Sequence, residues 1–487
     1  MIMEFVSTRN HKLKTTAAKA IIEGLAQDGG LYVPTSLPLL AINELVGLDY
    51  HDLALAILSS LFDDFNKEEL SVALDKAYGL FDTKEVVPLS TIGDRYLLEL
   101  YHGPTSAFKD VALTLLPHLL KMAYKQSGCD KKIYILTATS GDTGKAALEG
   151  FKDVENTYIT VFYPHEGVSE IQYRQMATTA GNNTQVIAAR GNFDDCQRLV
   201  KKAYNHETFR KYDKVQLSSA NSINIGRLFP QIVYYFSSYL QLVKDGRIKM
   251  GTKVSFVVPT GNFGNILAGY LAKKMGLPVL HLICASNDND VLTEFLDTGV
   301  YNACRPFYLT TSPSMDILIS SNLERLLYFA SGDSEMVKGL MDDLSQNGRY
   351  QISEELLKKI QSEFRGYCIK QDEVARLIKE AFENDGRLID PHTAVAYGAA
   401  KKYEEEVPVI ILSTASPYKF ANNVYACIKE RAADEYEAME LLAKTSGMPI
   451  PKNLSSLKEM PIRHQEVIDI EDGLKTIERK LQELSHD

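Results

Sequence analysis

The chain has 487 residues, too many for one ordinary hydrophobic core, so two or three domains are expected. Its 45% hydrophobic and 24% charged content reads as a globular protein, and a formal net charge of -10 argues against a general nucleic-acid surface. In so acidic a protein an anionic ligand needs a locally basic pocket.

The opening "MIMEFVSTRNHKLK" lacks the apolar run of a signal peptide, and residues 1–90 read as a largely helical lobe of their own. Next comes "HGPTSAFKDVAL", His102 to Leu113, which sets Lys109 between a phenylalanine and an apolar run. A lysine with an ordinary pKa of about 10.4 is neutral in roughly one molecule in 2,500 at pH 7. A reactive lysine is pressed down by about 3 pH units, and the neighbours Phe108, Val111 and Leu113 supply desolvation. The alternative is a lysine whose stem packs while its amine reaches water.

Strand-like and helix-like segments then alternate. "KIYILTATS" (132–140), "TYITVFYP" (157–164) and "TQVIAA" (184–189) form a first group of strands. "KVSFVVP" (253–259), "PVLHLICAS" (278–286) and "VPVIILST" (407–414) form a second. Apolar runs of this length suit strands buried on both faces, and "VALTLLPHLLKMAYKQ" and "ILAGYLAKKMG" suit the crossover helices. The expectation is an α/β fold with two open parallel-sheet domains. The N-terminal lobe spans 1–90, a smaller domain 91–240, and a larger one 241–487. The charged stretch from Ser320 to Glu383 reads as a helical excursion poor in strands.

Two loops sit at strand ends. "TATSGDTGKAAL" offers the hydroxyls of Thr139, Ser140 and Thr143 for a carboxylate or phosphate. It also reads as a simple cap, with Ser140 or Asp142 capping the helix that follows. "PTGNFGNILAGY" follows a strand and opens a helix. Gly261 and Gly264 let the backbone approach a ligand, and Asn262 and Asn265 add donors. It reads as a phosphate cup or as a tight turn without ligand, and it lacks both the dinucleotide and the P-loop spacing.

The stretch from Val254 to Ala272 is uncharged but carries Pro259, two asparagines and three glycines, which rejects a membrane span. Six scattered cysteines, Cys129, Cys196, Cys284, Cys304, Cys368 and Cys427, argue against a zinc site or disulfide framework. They fit a reducing, cytoplasmic compartment. Two anion loops with a lysine between them are the set that pyridoxal phosphate requires: an amine for its aldehyde and a cup for its phosphate.

The ordered set "HGPTSAFKDVAL", "TATSGDTGKAAL", "NSINIGR", "VVPTGNFGNILAGYLAKKMGLP", "SPSMDILISSN", "DPHTAVAYGA" and "LSTASPYKF", with "STRN" and "EGLAQDGGLYVP" before it, resembles the threonine synthase family in its longer microbial and fungal type. The resemblance runs from about Phe5 to Phe420. It implies a pyridoxal-phosphate lyase of the tryptophan-synthase-β-like fold (fold type II), with the cofactor between two α/β domains.

Lys109 matches the Schiff-base lysine and proton shuttle. Gly261, Asn262, Phe263, Gly264 and Asn265 match the phosphate cup, and Thr414 the hydroxyl facing the ring nitrogen. Asp142 stands beside the cofactor's O3′, where broader members of the fold carry Asn. For the substrate, O-phospho-L-homoserine, the candidates are Thr139, Ser140, Thr143, Asn224 and the cations Arg227 and then Lys145. No metal is expected. His392 in "DPHTAV" is read as packing at a helix start capped by Asp390 or Thr393. The implied partner is a small phosphorylated amino acid, with no nucleic acid or membrane, in a monomer or homodimer. Two other readings compete: a phospho-lyase on the same scaffold, and a non-catalytic phospho-ligand binder.

Overall fold

The computed structural model describes residues 2–128, 130–204, 206–429 and 432–486, so Cys129 lies outside the described residues. Two parallel sheets organise it. The larger has six strands in the order Phe364–Cys368, Val279–Ser286, Val254–Pro259, Val409–Ser413, Arg95–Glu99 and Leu89–Ile92. Its neighbours run parallel except the last pair, an antiparallel hairpin turned at Gly93 and Asp94. Every residue of Val254–Pro259 and Val409–Ser413 is buried, as central strands covered on both faces require. The smaller sheet is parallel throughout, in the order Glu466–Asp469, Thr184–Arg190, Thr157–Pro164, Lys132–Ala138 and Val215–Ser218.

The sheets do not follow the linear boundaries read from the sequence. Leu89–Ile92 and Arg95–Glu99 join the larger sheet from outside 241–487, and Glu466–Asp469 joins the smaller one from beyond 240. The helix Gly473–His486 returns with that strand and buries Ile477 and Leu481 beside Leu199 under the smaller sheet. The N-terminal region is mixed rather than helical. A three-stranded antiparallel sheet (Asn10–Thr15, Phe5–Ser7, Tyr32–Pro34) precedes the helices Tyr50–Leu61 and Lys67–Tyr78.

The supposed helical excursion contains two strands. Phe364–Cys368 is an edge of the larger sheet, and Arg349–Gln351 pairs with Val300–Asn302. Only Phe364 of the first is fully buried, so its sequence carries no continuous apolar run. The run "VALTLLPHLLKMAYKQ" divides into Asp110–Leu113 and Leu116–Ser127, with Pro117 in the first turn of the second, where a missing N–H costs nothing. The five described cysteines are unpaired. Among the described residues, no helix is long and apolar enough to cross a membrane.

Candidate active site

Lys109 lies between the loop that follows the larger sheet's strand Val409–Ser413 and the loop that follows the smaller sheet's strand Lys132–Ala138. Its loop is strapped to the end of strand Val409–Ser413: Phe108 N–H donates to Thr414 O at 2.8 Å, and Ser416 N–H donates to Ser106 O at 3.1 Å. Ser106 is held at φ 58°, a left-handed conformation that is strained for a side-chain-bearing residue. Asn453 braces it, donating to Pro104 O at 2.8 Å and to Ser106 Oγ at 2.9 Å. Below the loop, Asp110 accepts from Thr105 N–H at 2.8 Å and from Thr105 Oγ1 at 2.6 Å. Burial raises that carboxyl to about 6.

The Lys109 ammonium donates to Ser314 Oγ at 3.3 Å and lies 3.9 Å from Asp142 Oδ2. Burial is the main force on it. Asp142 pulls the other way, Arg227 and Lys419 add to the burial, and the pKa falls from 10.5 to about 8. The amine therefore faces inward.

Asp142 opens the helix Asp142–Phe151. Gly141 precedes it at φ 133°, and a Cβ there would meet the Gln172 side chain at 2.4 Å. The cap is neither Ser140 nor Asp142. Thr139 Oγ1 takes it, accepting from the N–H groups of Gly141 and Gly144, each at 2.9 Å. Asp142 instead turns toward Lys419, whose Nζ lies 2.7 Å from Oδ1. Burial alone would raise this carboxyl, but Lys419 and Lys109 outweigh it and hold Asp142 far below the usual range. Ser140 and Thr143 remain half-buried at the loop.

The glycine turn lies on the other side of Ser314. Phe263 adopts φ 62° and begins the helix Gly264–Lys274 without any side-chain cap, so no capping side chain takes up the N–H groups of the first turn, the arrangement that suits an anion. The turn is braced from behind. Ser320 Oγ donates to Gly261 O at 2.8 Å, and Asn322 N–H donates to Asn262 O at 3.0 Å. Asn262 itself is exposed, and Gly264 packs beside Asn322. Asn265 Oδ1 accepts from Tyr234 Oη at 2.6 Å and Tyr235 Oη at 2.9 Å, which fixes the amide, while its buried Nδ2 has no partner.

Arg227 is 3% exposed. Its Nη1 donates to Ala220 O at 2.8 Å, its Nε has no partner, and among the described residues no carboxylate pairs with it. Burial lowers it to about 10. Two orphaned buried donors, Asn265 Nδ2 and Arg227 Nε, plus an inward amine are what a bound anion and an aldehyde satisfy, so these residues fit pyridoxal phosphate and a phosphorylated substrate.

Two predicted donors are engaged elsewhere. Lys145, second to Arg227 as the expected cation for the substrate phosphate, has Nζ 2.7 Å from Glu149 Oε2 and donates to Thr179 Oγ1 at 3.1 Å. Asn224 caps the helix Ile225–Leu228 through Oδ1 and donates Nδ2 to Ile21 O at 2.8 Å, a structural duty. His392 shares Asp390 Oδ2 at 2.6 Å through Nδ1 and accepts from Ser314 N–H at 3.2 Å through Nε2, which positions Ser314. Ser314 and Lys419 lie within the motifs "SPSMDILISSN" and "LSTASPYKF", but no local pattern marks either residue, and only the fold brings them to Asp142.

Three family descriptions cover this chain: "Threonine synthase N terminus" over residues 4–78, "Pyridoxal-phosphate dependent enzyme" over 89–414, and "Threonine synthase, C-terminal" over 393–478. A threonine synthase of Pseudomonas aeruginosa is 41% identical over 435 residues, covering 87% of this chain and 90% of the relative. The crystal structure of pyridoxal-phosphate-bound threonine synthase from Brucella melitensis superposes with a TM-score of 0.89 at 40% identity, over 100% of both chains. That of yeast threonine synthase gives 0.88 at 33% identity, over 99% of both.

Proposed function

Because the chain belongs to the threonine synthase family of pyridoxal-phosphate-dependent lyases, we propose that Lys109 carries the cofactor while the turn 261–265 holds its phosphate. The reaction converts O-phospho-L-homoserine and water to L-threonine and phosphate. The observation that carries this assignment of residues is Ser314. Its hydroxyl meets Lys109 Nζ at 3.3 Å, while its carbonyl lies against Gly261, so one residue spans the amine and the cup.

When bound, pyridoxal phosphate supplies an aldehyde that condenses with amines and a ring that takes up the electrons of broken C–H bonds. The chain's own groups do the rest. Lys109, with a pKa of about 8, exchanges protons near neutral pH and moves one from and back to the substrate carbon. Arg227 meets the leaving phosphate as a charged donor whose Nε is unspent. Ser140 and Thr143 offer hydroxyls to the substrate's other anionic end, on a loop whose shape Thr139 fixes. Thr414, buried at the end of its strand, offers a neutral hydroxyl to the cofactor ring. The unpaired cysteines fit a reducing compartment such as the cytoplasm.

The test is a product assay with phosphohomoserine. Threonine and inorganic phosphate form in equal amounts with the wild type, and neither forms with Lys109→Ala. Oxobutyrate and ammonia without threonine would instead make the protein a simple phospho-lyase.

A further inference from the structure

Asp142 raises an electrostatic problem. A carboxylate beside an amine that carries an anionic cofactor repels the cofactor's phenolic oxygen. The structure offers a counter-charge from 277 positions further along the chain, Lys419 against Asp142. Lys419 is 0% exposed, its Nζ lies 2.7 Å from Asp142 Oδ1, and it donates to Thr105 O at 3.0 Å. Gln172 Nε2 donates to the same Oδ1 at 3.1 Å, and Ser314 Oγ donates to Oδ2 at 3.3 Å. The carboxylate is thus saturated on its far side and aimed with Oδ2 at Lys109.

A buried ion pair of this kind contributes little net stability, because desolvation offsets the attraction. What it does provide is a fixed charge and a fixed geometry. We infer that Lys419 is a positioning residue that holds Asp142 ionised and cancels its charge, so that the wall beside Lys109 accepts hydrogen bonds without repelling an anion. The other charges facing the amine are Arg227 and Asp110, and His392 reaches Asp142 from the larger domain's helix. Asp110 is taken up by Thr105, and His392 by Asp390. Asp110 also feels the charge of Lys419, but the direct ion-pair contact of Lys419 is with Asp142. The inference rests on Lys109 being the cofactor's attachment point.

The experiment compares wild type with Lys419→Met, Lys419→Arg, Asp142→Asn and the double variant. The readouts are the dissociation constant for pyridoxal phosphate, the pH midpoint of the bound cofactor's visible band, and the melting temperature. Lys419→Met leaves a net negative charge, so cofactor binding weakens about 10-fold or more and the midpoint rises by about one pH unit. Asp142→Asn leaves a net positive charge and lowers the midpoint. The double variant, neutral again, returns the midpoint toward wild type, and Lys419→Arg retains most cofactor affinity.

A wild-type midpoint in Asp142→Asn, or a double variant no nearer wild type than its singles, overturns the inference. Should Lys419→Met not fold, the double variant set against Asp142→Asn decides: loss of the Lys419 charge must raise the midpoint above that of Asp142→Asn, and an unchanged midpoint overturns the inference. Borohydride reduction followed by peptide mapping separates the two levels. Failure to label Lys109 in the wild type removes the functional assignment, whereas labelled Lys109 with unshifted variants removes only the role of Lys419.

Discussion

Gly261 has no space for a side chain against Ser314: a Cβ there would stand 2.6 Å from the Ser314 carbonyl oxygen and 3.3 Å from Met315 Cα. Both obstacles are backbone, so neither can swing aside. Gly261→Ala must therefore shift the turn or the Ser314 segment, at about 1–3 kcal/mol. The expected result is a 5- to 150-fold weaker grip on pyridoxal phosphate, by roughly that energy range, with a small change in apoprotein melting. Titration of the visible band measures it, and unchanged affinity would place the cofactor phosphate elsewhere.

Lys109 gives a stability signature without cofactor. Burial, aided by Arg227 and Lys419 and opposed by Asp142, lowers its pKa from 10.5 to about 8. Below about pH 8 folded and unfolded chains both hold the proton, and folding carries the full cost of burying the cation. Between about 8 and 10.5 the unfolded chain binds more protons, so this group's contribution to stability rises with pH. Apo Lys109→Met is expected to be about 3 kcal/mol more stable than apo wild type at pH 7, with the gap closing by pH 10.5. Urea denaturation at several pH values measures the gap, and a gap that does not change with pH would contradict an inward-facing ammonium.

Arg227 separates structure from function in the opposite way. Its charge is buried without a carboxylate, so Arg227→Met relieves a desolvation cost and leaves the apoprotein at least as stable. On the proposed assignment the same change removes a charged donor from the leaving phosphate, and kcat/KM is expected to fall about 10- to 150-fold, the equivalent of one charged hydrogen bond. Inorganic phosphate should raise the melting temperature of the wild type and not that of the variant. Equal protection of both would assign the phosphate to another cation.

One carboxylate helps to pin the N-terminal lobe to the larger domain. Glu324 accepts from Thr8 Oγ1 at 2.5 Å, from Arg9 Nε at 2.9 Å and from Arg9 Nη2 at 2.8 Å. The next residue, Arg325, is fully buried and donates to Asn322, Ile223 O and Tyr32 O, reaching the residue that braces the turn at Asn262. Glu324→Ala strands Arg9 beside a buried hydroxyl and is expected to cost about 3 kcal/mol in urea denaturation. A loss below about 1 kcal/mol, typical of a surface pair, would show that the pin is solvated.

What could be read in the sequence was local. Thr157–Pro164 and Val279–Ser286 announce themselves because both faces are buried and every position is free to be apolar. The glycine turn and Lys109 are legible for the same reason, since the relevant residues are neighbours in the chain. Phe364–Cys368 and Glu466–Asp469 are edge strands with mostly half-covered residues, and they leave no such pattern. Lys145 and Asn224 look like free donors until Glu149 and Ile21 O are seen to engage them. The pairing of Asp142 with Lys419 joins residues that no spacing rule connects.

The smaller sheet places Glu466–Asp469 beside Thr184–Arg190, so more than half of the polypeptide is synthesised between two strands that end as neighbours. During translation the sheet waits with one side open, and the helix that seals Leu199 arrives later still. Assembly of the region carrying Asp142 therefore closes after the larger sheet's strands have all left the ribosome. A nascent chain shortened before residue 466 would retain Lys109 and the glycine turn yet lack the final stave of the wall that faces them.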